Sequence, residues 1–355
     1  MAWPGYRAVL AVLVASWGAT SLAVADPIED FYKDKRLSVI VGYPAGGGFD
    51  AYARIVSENL SRFLPGEPKS IVQYMPGAAS LKSVNYVYNV APQDGTVIGI
   101  PNAYLTFNAF VRGEVGEGVD VTKLQWIGRV APIDIVTVVW HDTGIKSLED
   151  LKGRKIFFGG TSAGGGSTII PFVLNRMFGS KIELALGYVG TTDQYLAMER
   201  GEINGMSNAI WSQLGRSHPQ WVSERKVIPL IQDGFERRKV LPDVPTIVEL
   251  AQNEEDRKVL RLVGSTSVFG RSFYVGPKVP MERVTALRKA FMTMAEDRAF
   301  QEMAERLTID LDPLSGEALQ AMVEEIGKYP KALFERTNEL TASEKDRQAN
   351  EPPSR

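Results

Sequence analysis

From Leu37 onward, short runs rich in β-branched residues alternate with amphipathic stretches of helical period. Such alternation is typical of α/β folds, in which crossover helices join parallel strands. The chain has 355 residues, more than one hydrophobic core usually organises, so we expect two lobes of about 100–200 residues each. The sequence therefore predicts an α/β protein of two lobes, each built on a sheet rich in parallel strands.

The predicted elements also indicate how the chain is divided between the lobes. A first series has strands expected at residues 37–41, 70–74, 96–100, 124–128 and 135–140, with helices at 50–64 and 80–89. A second has strands expected at 155–158, 182–188, 203–206 and 227–231. One more strand at 272–275 precedes helices at 281–296, 298–306 and 315–329, too few strands for a separate sheet. We therefore expect two interlobe crossings, near residues 136–140 and 264–267.

These elements set the domain bounds that we expect. Residues 26–135 form the first part of lobe 1, residues 136–265 form lobe 2, residues 266–345 return to lobe 1, and residues 346–355 form a flexible tail. Residues 1–25 are predicted to be a signal peptide, because Arg7 precedes a short apolar run that ends in Ala23-Val24-Ala25. Cleavage after Ala25 would leave the mature protein outside the cytoplasm.

Composition excludes several classes of function. The chain has 40 basic and 42 acidic residues spread evenly along it, so no basic stripe is available to neutralise nucleic acid. Zero cysteines exclude thiolate catalysis and cysteine-ligated metals. Two histidines, which nothing places together, are too few for metal or acid–base chemistry. We expect no catalytic residue, no metal and no cofactor.

Two glycine-rich loops are the most informative segments. Residues 43–50 read Tyr-Pro-Ala-Gly-Gly-Gly-Phe-Asp, and residues 159–168 read Gly-Gly-Thr-Ser-Ala-Gly-Gly-Gly-Ser-Thr. Each loop lies between a predicted strand and a predicted helix, where glycines allow close backbone approach and the first helical turn presents free N–H groups. An anion is the natural occupant of such a loop. Two such loops, one in each lobe, indicate a cleft that closes on a small acid.

Two other interpretations of these loops deserve comparison. The spacing Gly46-x-Gly48-x-x-Ala51 matches a degenerate dinucleotide fingerprint, but residues 71–75 lack the acid expected at the end of the next strand. The segment Gly160-Thr161-Ser162-Ala163-Gly164 formally matches the nucleophile elbow of serine hydrolases, and Asp193 and His218 follow in the required order. A serine hydrolase with Ser162 as nucleophile is therefore the strongest alternative from another class.

The ordered set of motifs resembles a known family of receptors. Its members are the tripartite tricarboxylate transporter receptors, also called TctC or Bug-type extracytoplasmic solute receptors. The residues that carry the resemblance are Pro44 to Arg54, Met75 to Ser80, Ala91 to Thr96, Ser162 to Ser167, Gly187 to Thr191 and Leu241 to Thr246. Each motif alone is weak, but the ordered set is specific and covers nearly the whole mature chain.

The resemblance implies a periplasmic, Venus-flytrap solute-binding protein that passes a small carboxylate ligand to integral-membrane transporter subunits. We expect a monomer. The implied ligand-binding residues of the first lobe are Tyr43, Ala45, Gly47, Gly48, Asp50, Asn102 and Ala103. Those of the second lobe are Ser162, Ala163, Gly166, Ser167, Thr168, Tyr188, Gly190, Thr191, Thr192 and Asn208. Asp50 is expected chiefly to cap its helix, and Arg271, near the second crossing, is a candidate partner for a ligand carboxylate.

Overall fold

The computed structural model describes Met1, residues 26–162 and residues 166–343. Its strands are β1 (Arg36–Val41), β2 (Lys69–Tyr74), β3 (Val97–Ile100), β4 (Gln125–Arg129), β5 (Ile135–Trp140), β6 (Ile156–Gly160), β7 (Ile182–Leu186), β8 (Gly205–Ile210), β9 (Val227–Gln232), β10 (Ser272–Val275) and β11 (Leu314–Ser315). The predicted signal peptide falls almost wholly outside the described residues, and the predicted tail does so entirely.

The helices occupy the connections between these strands. They are α1 (Pro27–Tyr32), α2 (Gly48–Leu60), α3 (Leu81–Asn85), α4 (Leu105–Phe107), α5 (Gly166–Phe178), α6 (Thr191–Glu199), α7 (Trp211–Ser217), α8 (Pro219–Ser223), α9 (Glu254–Val268), α10 (Met281–Glu296), α11 (Arg298–Arg306), α12 (Gly316–Gly327) and α13 (Lys331–Thr341). Short 3₁₀ turns lie at Ser61–Phe63, Ala78–Ser80, Val121–Lys123, His141–Thr143, Glu149–Leu151 and Ile247–Leu250, and π turns at Tyr86–Val90 and Asn108–Arg112. None of the described helices is long and apolar enough to cross a membrane.

The first sheet has six strands in the order β11-β4-β10-β3-β1-β2. Strand β1 pairs in parallel with β2 and β3, as expected for βαβ units. Strand β10 lies antiparallel between β3 and β4, although it follows both in the sequence. The start of β10 therefore lies at the same edge as the ends of β3 and β4.

The second sheet has five strands in the order β7-β6-β8-β5-β9. Strand β6 pairs in parallel with β7 and β8, whereas β5 runs antiparallel to β8 and β9. Both sheets are thus mixed, with parallel and antiparallel pairs of strands. The predicted α/β fold with two lobes is confirmed.

The chain passes between the two sheets twice, and the two passages lie side by side. One joins β4 to β5 and the other joins α9 to β10. The amide of Val130 donates to the Arg271 carbonyl, and the amide of Arg271 donates to the Ala131 carbonyl, both at 3.1 Å. The crossings lie a few residues from the predicted positions, because residues 136–140 lie inside β5 and Gly264 lies inside α9. The exact domain bounds stay a prediction.

Packing gives each lobe a core of its own, and a further buried cluster includes residues of both sheets, among them Ile40 and Phe158. Buried residues of β1, β3, α2 and α10 form the core of the first lobe, and those of β5, β8, α6 and α8 form a core in the second. Helix α13 packs against α5 and α9 of the second lobe and against the π turn Asn108–Arg112 of the first lobe. Arg176 of α5 donates to three carbonyls at the end of α13, those of Glu339, Leu340 and Ala342. The C-terminal segment therefore holds both lobes.

Candidate functional site

The carboxyl edges of the two sheets face each other, and Tyr104 marks where they meet. Tyr104 follows β3 of the first lobe, and Gly166 begins α5 of the second. A Cβ on Gly166 would overlap the hydroxyl and ring of Tyr104. Burial raises the pKa of Tyr104. In open α/β sheets, ligands bind outside the carboxyl ends of the strands, so this junction is the candidate site.

The first glycine-rich loop is held in place by Asp50. The Asp50 carboxylate accepts hydrogen bonds from the Gly46 amide at 2.7 Å, from Arg54 Nε at 2.8 Å and from the Tyr74 hydroxyl at 2.7 Å. Burial acts to raise the pKa of Asp50, but these bonds and the Arg54 charge lower it overall. The N-cap of α2 is Gly47, whose lack of a side chain leaves Asp50 to bind the loop from the first turn. Contrary to expectation, Asp50 therefore does not cap the helix but ties the amide of Gly46, just before the N-cap, to the first turn of α2.

Three aromatic rings and Arg271 form a stacked group beside this loop. The Tyr43 ring stacks on Phe49 with centroids 4.7 Å apart. The Arg271 guanidinium carbon lies 4.2 Å from the Phe49 ring centre and 5.0 Å from that of Tyr52. Burial raises the pKa of Tyr52 to about 12, against the effect of Arg271. Burial also raises the pKa of Tyr43, against the effects of Arg271 and Asn102.

The second glycine-rich loop joins β6 to α5 and is anchored by Ser167. The Thr161 amide donates to Ser167 Oγ at 3.0 Å, which ties the start of the loop to the first turn of the helix. Ser162 is exposed, and Ala163 lies outside the described residues. A neighbouring loop brings Gly190 to the N-cap of α6, with no side-chain cap. Inside β8, the buried Asn208 Oδ1 has no hydrogen-bond partner among the described residues.

The predicted site residues form two groups, one exposed to solvent and one buried. Partly or fully exposed are Tyr43, Ala45, Gly47, Gly48, Asn102, Ser162, Gly166, Tyr188, Gly190, Thr191, Thr192 and Asn208. Buried are Asp50, Ala103, Ser167 and Thr168, at 5%, 2%, 3% and 0% exposure. Of the buried four, Asp50 and Ser167 are hydrogen-bonded to the two glycine-rich loops.

Buried charges surround the crossings. Arg129 is 7% exposed and donates to the Val268 carbonyl and to Asp312. Arg238 donates to the Ile133 carbonyl at 2.7 Å. Asp134 accepts from the Ser212 amide and hydroxyl, and burial raises its pKa. Burial outweighs the effect of Arg238 and raises the pKa of Asp233 to about 7. Arg129, Arg238 and Arg271 thus lie among the aspartates Asp134, Asp233 and Asp312, and these positive and negative groups at the crossings are equal in number.

Asp193 and His218, which a serine hydrolase would need beside Ser162, interact with other groups. Asp193 accepts from the Val189 amide at 3.2 Å. His218 packs on Trp221 with ring centres 4.2 Å apart, and its Nδ1 shares a hydrogen bond with the Ser217 hydroxyl. No contact among the described residues joins Ser162 to either of them. The alternative has no support.

A groove of about 750 Å³ lies at the opposite edge of the first sheet. It is bordered by Tyr88, Asn89, Gln93, Thr122, Lys123, Gln125, Pro277, Lys278, Met281, Arg288, Gln320 and Glu324. These residues precede β3 and β4 or follow β10, so they share no loop with the candidate site. The groove is therefore separate from it.

Sequence reasoning did not include Phe49, Tyr52 and Tyr104 in the site. Phe49 and Tyr52 are three residues apart at the start of α2, a spacing that places two side chains on one helix face. That spacing could have identified Phe49 and Tyr52 from the sequence. No sequence pattern indicated Tyr104, because its role depends on how the two lobes meet.

Comparisons with known proteins agree with this architecture. The family model described as "ABC transporter, phosphonate, periplasmic substrate-binding protein" matches residues 130–312, more than half of the chain. A UPF0065 protein of Cupriavidus necator is 23% identical over 93% of this chain and 95% of its own. A TctC solute-binding protein from Polaromonas, solved without ligand, has a TM-score of 0.67 at 19% identity, over 86% of this chain and 98% of its own.

A further structural neighbour is MatC from Rhodopseudomonas palustris, solved with bound malate. Its TM-score is 0.55 at 18% identity, over 86% of this chain and 99% of its own. The neighbours extend over both sheets, whereas the family model begins at the first crossing and ends just before β11. The chain therefore belongs to the family of periplasmic substrate-binding proteins, and it shares its two-lobed fold with the TctC and Bug receptors that its motifs resemble.

Proposed function

We propose that the protein captures a small carboxylate-bearing solute between its lobes and delivers it to integral-membrane subunits of a tripartite tricarboxylate-type transporter. The observation that carries the proposal is the meeting of two loop-bearing sheet edges at Tyr104 and Gly166. Helices α2, α5 and α6 each follow a strand of one of these edges, and the N-terminal turns of such helices favour an anion. The malate bound by MatC supports a carboxylate rather than the phosphonate that the family model's description names.

In this proposal the exposed members of the predicted set contact the ligand. Of the buried members, Asp50 and Ser167 hold the two loops by hydrogen bonds, and Ala103 and Thr168 are too buried to meet the ligand in this structure. The protein acts as a monomer, takes up one ligand without changing it chemically, and requires no cofactor, metal or nucleic acid. Residues 1–25 direct export and are then removed, which an intact mass beginning at Asp26 would test.

A thermal-shift screen tests the proposal directly. The purified mature protein is heated with malate, succinate, adipate, aromatic acids, amino acids and alkylphosphonates, each over a range of concentrations. A ligand at 100 times its dissociation constant adds about 2.7 kcal/mol to the free energy of unfolding. We expect a carboxylate to give the largest shift. A shift with alkylphosphonates alone, or with no compound, would contradict the proposal.

Two controls separate binding from catalysis. The ligand recovered after long incubation should be chemically unchanged by mass spectrometry. A fluorophosphonate probe should leave Ser162 unlabelled, because neither Asp193 nor His218 activates it. Stoichiometric labelling that disappears in Ser162→Ala would instead identify an esterase.

A further inference from the structure

Arg271 occupies a fixed position at the carboxyl edge of the first sheet. It immediately precedes β10, whose antiparallel direction brings its start to the edge where β3 and β4 end. Its amide and carbonyl are both hydrogen-bonded to the first crossing, through Ala131 and Val130. The backbone of Arg271 is therefore held by both crossings.

The guanidinium is held flat by aromatic faces. It lies over Phe49 and Tyr52, and Tyr43 stacks on Phe49. A Cβ on Gly48 would lie only 3.0 Å from Arg271 Nη2, so the glycine of the loop leaves room for the guanidinium. Stacking of this kind fixes the plane of the guanidinium and leaves the N–H groups at its edge to bind an acceptor.

One nitrogen of that N–H edge, Nη1, lacks an acceptor. Arg271 Nη1 is buried and makes no hydrogen bond among the described residues. The neighbouring Arg129 makes an ion pair with Asp312 at 3.3 Å, but no carboxylate of the described chain pairs with Arg271. Burial lowers the pKa of Arg271, with Tyr52, Asp134 and Tyr43 acting against it. A buried donor without an acceptor is destabilising, so this group is poised for an anion from outside the chain.

We propose that Arg271 is the charged anchor of the ligand and binds one carboxylate of a dicarboxylate through both of its terminal nitrogens. The inference rests on the proposed function and adds that the solute carries two acidic groups. One group meets the planar N–H edge of Arg271, whose geometry matches a carboxylate. The other end of the solute faces the N-terminal turns of the second lobe.

The test measures affinity by titration calorimetry for malate, succinate and adipate, and for the monoamide of each. The variants are Arg271→Lys and Arg271→Met. The control is Arg288→Lys, since Arg288 is a buried arginine of the same lobe that borders the separate groove, and its Nη2 also makes no hydrogen bond among the described residues. We expect Arg271→Lys to bind the best diacid about 10- to 100-fold more weakly, because a point charge replaces a two-pronged hydrogen bond. Arg288→Lys should bind as the wild type does.

Two further readouts distinguish an anchor from a structural arginine. The wild type should prefer each diacid to its monoamide, and this preference should disappear in Arg271→Met. The ligand-free Arg271→Met protein should melt at or above the wild-type temperature, because an unpaired buried donor is removed. Wild-type affinity in either Arg271 variant, or an unchanged preference for the diacid in Arg271→Met, would overturn the inference while leaving the proposed function intact. Failure of the wild type to bind any acid would overturn both.

Discussion

Ile133 and Ser267 lock the two crossings together by a reciprocal pair of hydrogen bonds. The Ile133 amide donates to the Ser267 carbonyl at 3.0 Å, and the Ser267 hydroxyl donates to the Ile133 carbonyl. Arg238 Nη2 donates to Ser267 Oγ as well, at 2.8 Å. The connection between the lobes is therefore a two-stranded link rather than two independent linkers.

Ser267→Ala should loosen this link. The substitution removes the hydroxyl's two hydrogen bonds, while the Ile133 carbonyl keeps its bond from Arg238. We expect the free energy of unfolding, measured by urea denaturation, to fall by about 1–2 kcal/mol. Ser223→Ala, at an exposed serine of the second lobe, is the matched control and should change little. Equal stability of the two variants would show that the link contributes nothing.

Asp50→Asn should weaken both the fold and ligand binding. Three donors converge on the carboxylate, and an amide can satisfy only some of them. We expect a loss of about 1–3 kcal/mol in the free energy of unfolding at pH 7. Because the pKa of Asp50 is lowered in the folded state, its contribution is complete above the pKa of an ordinary aspartate and is lost as the pH falls through the folded value.

Denaturation curves from pH 7 down to pH 3 therefore test the role of Asp50. The free energies of unfolding of the wild type and of Asp50→Asn should become equal as the pH approaches 3. A difference between them that does not depend on pH would mean that the charge of Asp50 plays no part.

Asp233 should give the opposite pH dependence. Its pKa is raised to about 7 in the folded protein, so between about pH 4 and pH 7 the folded state binds a proton that the unfolded state lacks. The free energy of unfolding therefore decreases as the pH rises through this window. In Asp233→Asn the decrease should be smaller, and the variant should gain stability relative to the wild type between pH 5 and pH 8. Parallel pH profiles of the two proteins would rule out this assignment.

Gly47→Val should abolish binding without unfolding the protein. A Cβ on Gly47 meets no described atom within 4 Å, and the residue has a φ of −90°, which any residue adopts. The branched side chain would instead occupy the space above the N-terminus of α2. We expect a melting temperature within a few degrees of the wild type and no measurable carboxylate binding. Gly215→Val, at another open glycine of ordinary backbone, is the control and should bind normally.

Gly166→Ala should hold the lobes apart. The added methyl group overlaps Tyr104 across the junction, and an overlap of this kind costs about 1–3 kcal/mol. Small-angle scattering should show that ligand reduces the radius of gyration of the wild type, and that the reduction is smaller in the variant. Affinity should fall about tenfold to 100-fold. Adding Tyr104→Leu to Gly166→Ala should restore compaction. An identical radius of gyration for all three proteins would show that this contact does not limit closure.

Much of the fold could be predicted because the pattern of the strands is strong. Strands β5 and β10 and helices α10 and α11 begin and end at the predicted residues. Helix α9 was missed. Nearly all of its residues after Val259 are buried, including Gly264 and three polar residues, so it lacks the polar face from which helical period is recognised.

The site could be predicted only in part, for a similar reason. Glycine-rich loops between a strand and a helix can be recognised from the sequence. The two loops of this chain lie at facing edges of the two sheets. The position of Arg271 could not be derived in this way, because it depends on β10 entering the sheet between β3 and β4. Pairing between strands so far apart in sequence has no local signal.

The same insertion of β10 sets an order of assembly. The second sheet is made from one continuous segment, residues 135–232, and can pair completely as that segment emerges. Strands β3 and β4 cannot be joined until residues 272–275 arrive to pair with both. Until then each has an unpaired edge, which is prone to pairing with other chains. We therefore expect the first lobe, although it begins the chain, to finish folding last, and the arginine beside its glycine-rich loop to arrive with the strand that completes it.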